Sequence, residues 1–402
     1  MIVITDKSKC CGCTACYSIC PQKCIELLSD EEGFIYPKVK SSLCVDCKLC
    51  EKVCPVLTRP KGIQPKEKAY IVRCQDNEIL RNSSSGGFFT ALCKFIIGKN
   101  GVVFGAAFDE QWNVKHCFAE TLEQCTAFQG SKYIQSNIKG IFHQVKEFLT
   151  DGRWVCFSGT PCQVEGLQNY LNKKYENLIL VDFICHGVPS ASLWKEYLRV
   201  HNIKNIKKIN FRDKCFGYQL SGMSIDYTGN KKYFATARTD IMLKTFFSHI
   251  ALRWSCYKCN FKGIKRCSDF TIYDAWHVEN ILGIKDDDKG YTNVIVRSNK
   301  AEIIMNEIKE QLYFYPVLLQ KIIPVNGGML MHSAEKHKYR DVFYKSMNEI
   351  GIKNSVNKFL KIKPTDLIIE KVKIFSSFFG IAPSISRLRK RIRKNYTEGS
   401  KK

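Results

Sequence analysis

The chain has 402 residues, 45% of them hydrophobic, with 62 Lys and Arg against 38 Asp and Glu, a net charge of +24, and 21 cysteines. That length exceeds one module and points to two or three domains with real cores, while the charge favours anionic partners such as nucleotide cofactors or acidic lipids. The start, Met1-Ile2-Val3-Ile4-Thr5-Asp6, has no basic region followed by an apolar one, and no run of about 18 apolar residues occurs. A leader peptide and a spanning helix are therefore excluded in this reading, and the expected place is the cytoplasm. Thiols there stay reduced, so this many cysteines point to metal ligation rather than disulfides.

Residues 1–58 hold two runs of the form Cys-x2-Cys-x2-Cys-x3-Cys-Pro: Cys10, Cys13, Cys16, Cys20-Pro21 and Cys44, Cys47, Cys50, Cys54-Pro55. In such runs three thiolates surround one 4Fe-4S cubane and the fourth reaches the other. One cluster then takes Cys10, Cys13, Cys16 and Cys54, and the second takes Cys44, Cys47, Cys50 and Cys20. Zinc needs only paired knuckles, and a disulfide scaffold needs a secreted chain, so residues 1–58 read as a two-cluster ferredoxin domain.

A polar, proline-marked linker follows, from Leu57 to Lys68. The next region, 69–145, opens with the strand-like Ala69-Tyr70-Ile71-Val72. Phe88, Phe89, Leu92, Phe95 and Ile96 recur at helical spacing, and Val102 to Phe108 reads as a buried strand. Just before that helix lies Asn82-Ser83-Ser84-Ser85-Gly86-Gly87, a turn able to bring N–H groups and a helix end against a phosphate. A serine-rich helix cap without ligand is the plain alternative.

Residues 146–330 continue the alternation. Trp154 to Phe157 is strand-like and ends at Ser158-Gly159-Thr160-Pro161-Cys162. A second strand, Leu178 to Ile184, ends at Cys185-His186-Gly187. If the unit is one right-handed crossover, Cys162 and Cys185 lie past the carboxyl ends of adjacent parallel strands, where open α/β sheets place their sites. Shorter strands around Gly217, Gly222 and Gly229 suggest an α+β region. The overall class is thus mixed, α+β and α/β, with the ferredoxin module ahead of a larger α/β region.

A third cysteine group, Cys256, Cys259 and Cys267, offers three soft ligands, and the fourth must come from elsewhere in the fold. Cys162 and Cys185 are the candidates. Cys162 is favoured because it opens a helix, whose dipole stabilises a thiolate. A third 4Fe-4S cluster is the preferred occupant, with structural zinc the alternative. Single-electron clusters beside an organic substrate call for a flavin to convert between one and two electrons, and its pyrophosphate needs a cradle such as Ser84 to Gly87. Residues 339–402 read as a basic, partly helical tail. The run Arg387-Leu388-Arg389-Lys390-Arg391-Ile392-Arg393-Lys394 is suited to peripheral contact with an anionic membrane on its inner face. No recognition module accompanies the charge, so nucleic acid is not an expected partner.

Taken together, Ser84 to Phe88, Gly130-Ser131-Lys132-Tyr133, Ser158 to Gln163, Cys185-His186-Gly187-Val188-Pro189-Ser190, Phe211-Arg212-Asp213-Lys214 and Cys256 to Cys267 resemble the coenzyme F420 hydrogenase/dehydrogenase beta-subunit family of iron–sulfur flavoproteins. The resemblance runs from about Ala69 to Val296. It implies FAD, a cluster close to it on the Cys256 group, and hydride exchange at the flavin. By carry-over, Ser84, Ser85, Gly86, Gly87, Lys132 and Thr160 contact FAD, and His186, Arg212 and Asp213 lie near the flavin or its substrate. One departure is Tyr273, which stands where the family has glycine and is expected to narrow the approach to the flavin or stack on a ring. The implied function is an iron–sulfur flavoprotein oxidoreductase, relaying electrons between 4Fe-4S clusters and FAD. Its partners are a redox protein or small electron donor and a small-molecule substrate or deazaflavin-type coenzyme. The alternative is a redox or structural accessory protein in bacterial surface-polysaccharide biosynthesis.

Overall fold

The computed structural model describes residues 1–64 and 68–378. At the amino-terminal end, β1 (Ile25–Ser29) and β2 (Ile35–Val39) form an antiparallel hairpin with Ile25 opposite Val39. Two short helices, Ala15–Ile19 and Leu49–Lys52, carry Cys16 and Cys50. Each follows a left-handed residue, Thr14 at φ 63° and Lys48 at φ 59°, so the sequence repeat is also a backbone repeat.

The remaining strands are β3 (Lys68–Cys74), β4 (Val102–Phe108), β5 (Val114–Ala119), β6 (Val155–Gly159), β7 (Leu178–Phe183), β8 (Ile206–Asp213), β9 (Gly222–Tyr227), β10 (Lys232–Ala235), β11 (Phe270–Asp274), β12 (Thr292–Val296) and β13 (Leu312–Leu318). Eight of them make one sheet in the order β13-β3-β12-β11-β7-β6-β4-β5. Its centre, β4, β6, β7 and β11, is parallel. Antiparallel β5 closes one edge, and β12, β3 and β13 extend the other. Regions 69–145 and 146–330 therefore share a single sheet, since β4 pairs with β6 and β3 with β12. Strands β8, β9 and β10 form a separate antiparallel sheet. The result is the mixed α/β architecture expected from the alternation of strands and helices.

Side-chain alternation sorts the core into two faces. Val103, Cys156, Ile179 and Val181 pack against the helices Phe88–Gly98 and Asn299–Ile308. Val102, Phe104, Val155, Phe157, Leu178 and Leu180 pack against the helices Ile141–Thr150 and Pro161–Leu171. Cys11, Cys13, Ala15 and Val53 belong to this second cluster, so the amino-terminal module is built into the core of the larger sheet.

Other contacts reinforce that attachment. Arg59 pairs with Glu165 at 2.6 Å, the Asn169 amide donates to Thr58 O, and Ile63 pairs with Arg266, so the described part of the linker is tied down. At the hairpin turn, Phe34 enters a core with Trp194, Phe211 and Phe343. Beside it, the guanidinium of Arg340 donates to both Glu32 carboxylate oxygens at 2.7 Å, with both residues buried.

This last contact corrects the extent of the basic tail. Arg340–Leu360 is a helix with Phe343, Tyr344, Met347, Ile352 and Val356 in the core, bent at Gly351. Its apolar face was hidden in sequence by the surrounding lysines. The basic run Arg387 to Lys394 lies outside the described residues. Arg340→Met should leave Glu32 as an uncompensated buried charge and cost about 3–5 kcal/mol in chemical unfolding, and adding Glu32→Gln should restore most of that loss.

Candidate functional site

Two cavities open in the amino-terminal module. Cys10, Cys13, Cys16 and Cys54 border one, and Cys20, Cys44, Cys47 and Cys50 border the other. Ile2, Ile4, Leu27, Ile35 and Pro37 wall the first with apolar surface. Each cavity also meets a fifth cysteine, Cys11 or Cys24. Burial pushes the Cys16 thiol up to about 12, so a thiolate there needs a cation to offset desolvation. Soft thiols in fours around a cavity fit iron–sulfur chemistry. Among the described residues, no three His, Cys, Asp or Glu side chains converge on a single metal ion.

The third group assembles at the carboxyl edge of the main sheet. Strands β6 and β7 are adjacent and parallel, so Thr160-Pro161-Cys162 and Ile184-Cys185-His186 leave the sheet side by side. The capping box of Thr160 and Gln163 starts the helix carrying Cys162, and the Thr160 hydroxyl lies 3.1 Å from Cys162 Sγ. Cys256 and Cys259 approach from the opposite loop. Burial, followed by the neighbouring Cys162, pushes the Cys185 thiol up to about 12, and Cys256 is raised by burial, Cys185 and Cys259. Cys267 is raised by burial and then by Glu165 and Asp182, so carboxylates are its strongest charged neighbours. Cys11 lies beside both Cys13 and Cys162, which joins this group to the first cavity.

Beyond His186 the same edge becomes an aromatic cleft. Tyr133 stacks on Phe246 with centroids 4.3 Å apart, and Tyr218 stacks on Trp276 at 4.1 Å. The Arg212 guanidinium lies 5.4 Å from both rings of the second pair and donates to Asp274 at the end of β11. Asp213 is not its partner. The β8–β9 register breaks between Asn210 and Asp213, and Asp213 instead accepts from Cys215 N and sits 3.7 Å from Lys232. His186 lies near Phe246, Phe247 and His249, and burial holds its pKa down to about 4, so its imidazole is neutral at neutral pH.

The serine-glycine turn is largely satisfied by the protein itself. Ser84 Oγ accepts from Ser131 N at 2.7 Å, Ser85 Oγ contacts the Thr292 hydroxyl at 2.9 Å, and Gly86 N donates to that same hydroxyl at 2.8 Å. A Cβ on Gly86 would stand 2.5 Å from Val72 O, so this glycine is required by its packing on the sheet. Gly87 is left-handed and starts the helix Phe88–Gly98. The ammonium of Lys132 donates to Ala127, Gln129 and Gly130 carbonyls, and burial lowers its pKa to about 8. What the turn presents outward is a group of hydroxyls with spare hydrogen-bonding capacity rather than an open nest of N–H groups.

Tyr273 does not narrow this cleft. It packs with Ala69, Ile71, Val278 and Ile295, on the face of β11 opposite Asp274, because strand neighbours alternate. Sequence reasoning also missed Asp274, Arg253 and a buried relay in which Gln163 Nε2 donates to Ser136 Oγ, which bonds His116 Nδ1, while His116 Nε2 meets Ser158 O. None has a local sequence signal, since their partners are distant in the chain.

Comparison with known proteins adds to this geometry. Residues 152–317 match the family described as the C terminus of the coenzyme F420 hydrogenase/dehydrogenase beta subunit, and residues 9–57 match the 4Fe-4S dicluster domain. A coenzyme F420-dependent sulfite reductase of Methanocaldococcus jannaschii is 25% identical over 326 residues, covering 76% of this chain and 47% of that protein. The chain thus spans about half the length of that relative. An uncharacterized ferredoxin of the same organism is 36% identical over 67 residues, 16% of this chain and 86% of the ferredoxin. A chain of the F420-reducing NiFe hydrogenase complex of Methanosarcina barkeri aligns with a TM-score of 0.45 and 17% identity, over 75% of this chain and 92% of that one.

The His116 relay has a measurable consequence. Burial lowers its pKa to about 4, whereas an unfolded histidine takes a proton near 6.5. The unfolded state therefore binds more protons between those values, and the stability His116 contributes is present above about 6.5 and is lost as pH falls toward 4. Unfolding free energies should show the advantage of the wild type over His116→Asn shrinking by up to about 1.4 kcal/mol per pH unit in that window.

Proposed function

We propose that this chain, which belongs to the coenzyme F420 hydrogenase/dehydrogenase beta-subunit family and carries a 4Fe-4S dicluster domain, is an iron–sulfur oxidoreductase linking a protein electron donor to a flavin-dependent site at the carboxyl edge of its main sheet. The observation that carries this reading is continuity. Cys16 and Cys50 belong to one buried cluster, Cys11 touches Cys162, and Cys185 adjoins His186 in the aromatic cleft.

In this reading Cys10, Cys13, Cys16 and Cys54 hold one cluster and Cys20, Cys44, Cys47 and Cys50 the other. Four of the five thiols of Cys162, Cys185, Cys256, Cys259 and Cys267 hold a third. Bound clusters supply single-electron steps, and FAD joins these to a two-electron reaction on an organic substrate. The partly exposed rings of Tyr133 and Trp276, backed by buried Phe246 and Tyr218, offer flat faces for an aromatic ring system, and the Arg212–Asp274 pair offers charge beside them. Ser84, Ser85, Thr160 and the positive charge of Lys132 line the turn and strand end suited to the phosphate half, with Gly86 and Gly87 shaping the turn. The neutral imidazole of His186 can accept a proton or donate a hydrogen bond at the cleft. Asp274 is the carboxylate that pairs with Arg212 beside these rings. Because the sulfite reductase relative is named for coenzyme F420, a deazaflavin of that type is the first substrate to test.

A membrane contact is proposed for the helix Pro364–Phe378. Its inward face is anchored by Glu370, which accepts from Thr236 N and from the Thr236 and Thr239 hydroxyls. Its outward face exposes Leu367, Ile368, Val372 and Phe375, with Lys371 among them. No described helix is long and apolar enough to cross a membrane, so the contact would lie in the surface plane.

Protein purified without oxygen should carry about 12 iron atoms for three cubanes, and one FAD. Serine at each of the five thiols should remove about four iron atoms in four cases and none in the fifth. About eight iron atoms and no flavin would leave the relay without support. On vesicles rich in anionic lipid, the chain should co-sediment, and Leu367→Asp with Val372→Asp should abolish this. Equal pelleting of the variant would remove the membrane proposal.

A further inference from the structure

Arg253 is a fully buried charge whose guanidinium meets no carboxylate among the described residues. Three other buried arginines do: Arg266 faces Asp182 at 3.0 Å, Arg340 faces Glu32, and Arg212 faces Asp274, while buried Arg297 bonds only Ile264 O and the Ser268 and Thr271 hydroxyls, away from the two amino-terminal cysteine loops. Arg253 Nε donates to Cys10 O at 2.7 Å, and its terminal nitrogens reach Gln135 Oε1 at 3.1 Å, Ile35 O at 3.0 Å and Cys10 Sγ at 3.5 Å. The Tyr36 ring centroid is 4.1 Å away. These partners orient the cation without neutralising it, and a buried unpaired charge is strongly disfavoured.

The backbone is shaped to admit this side chain. Gly12 lies between Cys10 and Cys13 at φ +74°, and a Cβ there would stand 2.4 Å from Gln135 Nε2 and 3.1 Å from Arg253 Cζ. At the corresponding place in the second half, between Cys44 and Cys47, stands Asp46, which borders the other cavity. The two halves share their fold but differ in the sign of charge at this position. The first has a buried cation without a carboxylate partner, the second a surface carboxylate paired with the Met1 ammonium at 2.9 Å, with Cys47 exposed beside it.

We propose that Arg253 is the counter-charge of the cluster bound by Cys10, Cys13, Cys16 and Cys54, and that it raises the reduction potential of that cluster above that of its twin. A thiolate-bound cubane is anionic and gains one further negative charge on reduction, so a fixed neighbouring cation and an N–H···S bond favour the reduced form. An electron released by the cluster near Cys47, which is thereby oxidised, then reduces the cluster beside Arg253, with no proton required. Electrons entering at the exposed half run inward, toward Cys11 and Cys162. This inference rests on the two-cluster reading of the module.

The test is an EPR-monitored redox titration of the full chain, with iron content measured on the same samples. In Arg253→Gln at unchanged iron, one ferredoxin cluster should become harder to reduce by at least about tenfold in its reduced-to-oxidised ratio, about 59 mV for one electron, while the other stays in place. Arg253→Lys, which keeps the charge, should shift less. Unchanged potentials in Arg253→Gln, or equal shifts of both clusters, overturn the proposal. If Arg253→Gln loses about four iron atoms, the lysine variant decides: full iron with a potential within about tenfold of wild type supports the counter-charge, and loss of the same iron overturns it. Wild-type protein without cluster iron would instead refute the two-cluster reading itself.

Discussion

The guanidinium of Arg253 crosses 243 residues of sequence to grip Cys10, and the arrangement of the three cysteine groups depends on that crossing. The residue sits three positions before Cys256, so one side chain sets the distance between the first cavity and the third group. Its main-chain N–H donates to Val188 O, which ties the same residue to the loop carrying Cys185 and His186. Three segments that carry thiols are thus held at a single buried point, where rearrangement would expose a charge to apolar surroundings.

Around this point the module is locked by packing. Cys11, Cys13 and Ala15 share a core with the helices Ile141–Thr150 and Pro161–Leu171, Gly166 faces Cys13, and Phe34 fills a second core beside Trp194 and Tyr344. A ferredoxin on a flexible tether would sample many distances from the carboxyl edge of the main sheet. Here the distance is held by apolar burial and by the Glu32–Arg340 pair, whose separation would leave a buried charge unpaired. The position of the cleft follows from the sheet. Parallel β6, β7 and β11 end together, so Thr160, His186 and Asp274 converge at one edge although more than a hundred residues separate the first from the last.

The cysteine runs were legible because ligand spacing is a local property: a thiolate every third residue places three donors on one loop whatever lies elsewhere. The strand and helix alternation was legible for a similar reason, since buried strands such as Val102–Phe108 and amphipathic helices such as Phe88–Gly98 carry their own periodicity. Neighbours in sequence misled where strand geometry intervened. Arg212 and Asp213 stand side by side in the chain yet take different partners at a break in the β8–β9 register, and Tyr273 and Asp274 face opposite ways on β11.

By itself, the sequence determined which residues are able to ligate iron and which segments form strands, because both depend on residue type and spacing over a few positions. The tertiary structure decided which carboxylate faces Arg212, that Arg340–Leu360 is core rather than tail, that Gly86 serves sheet packing, and that an arginine without an acid partner stands against only one of two similar cysteine loops. Each of these depends on groups brought together from distant parts of the chain, where burial makes a charge or a hydrogen bond matter far more than it does along an exposed segment.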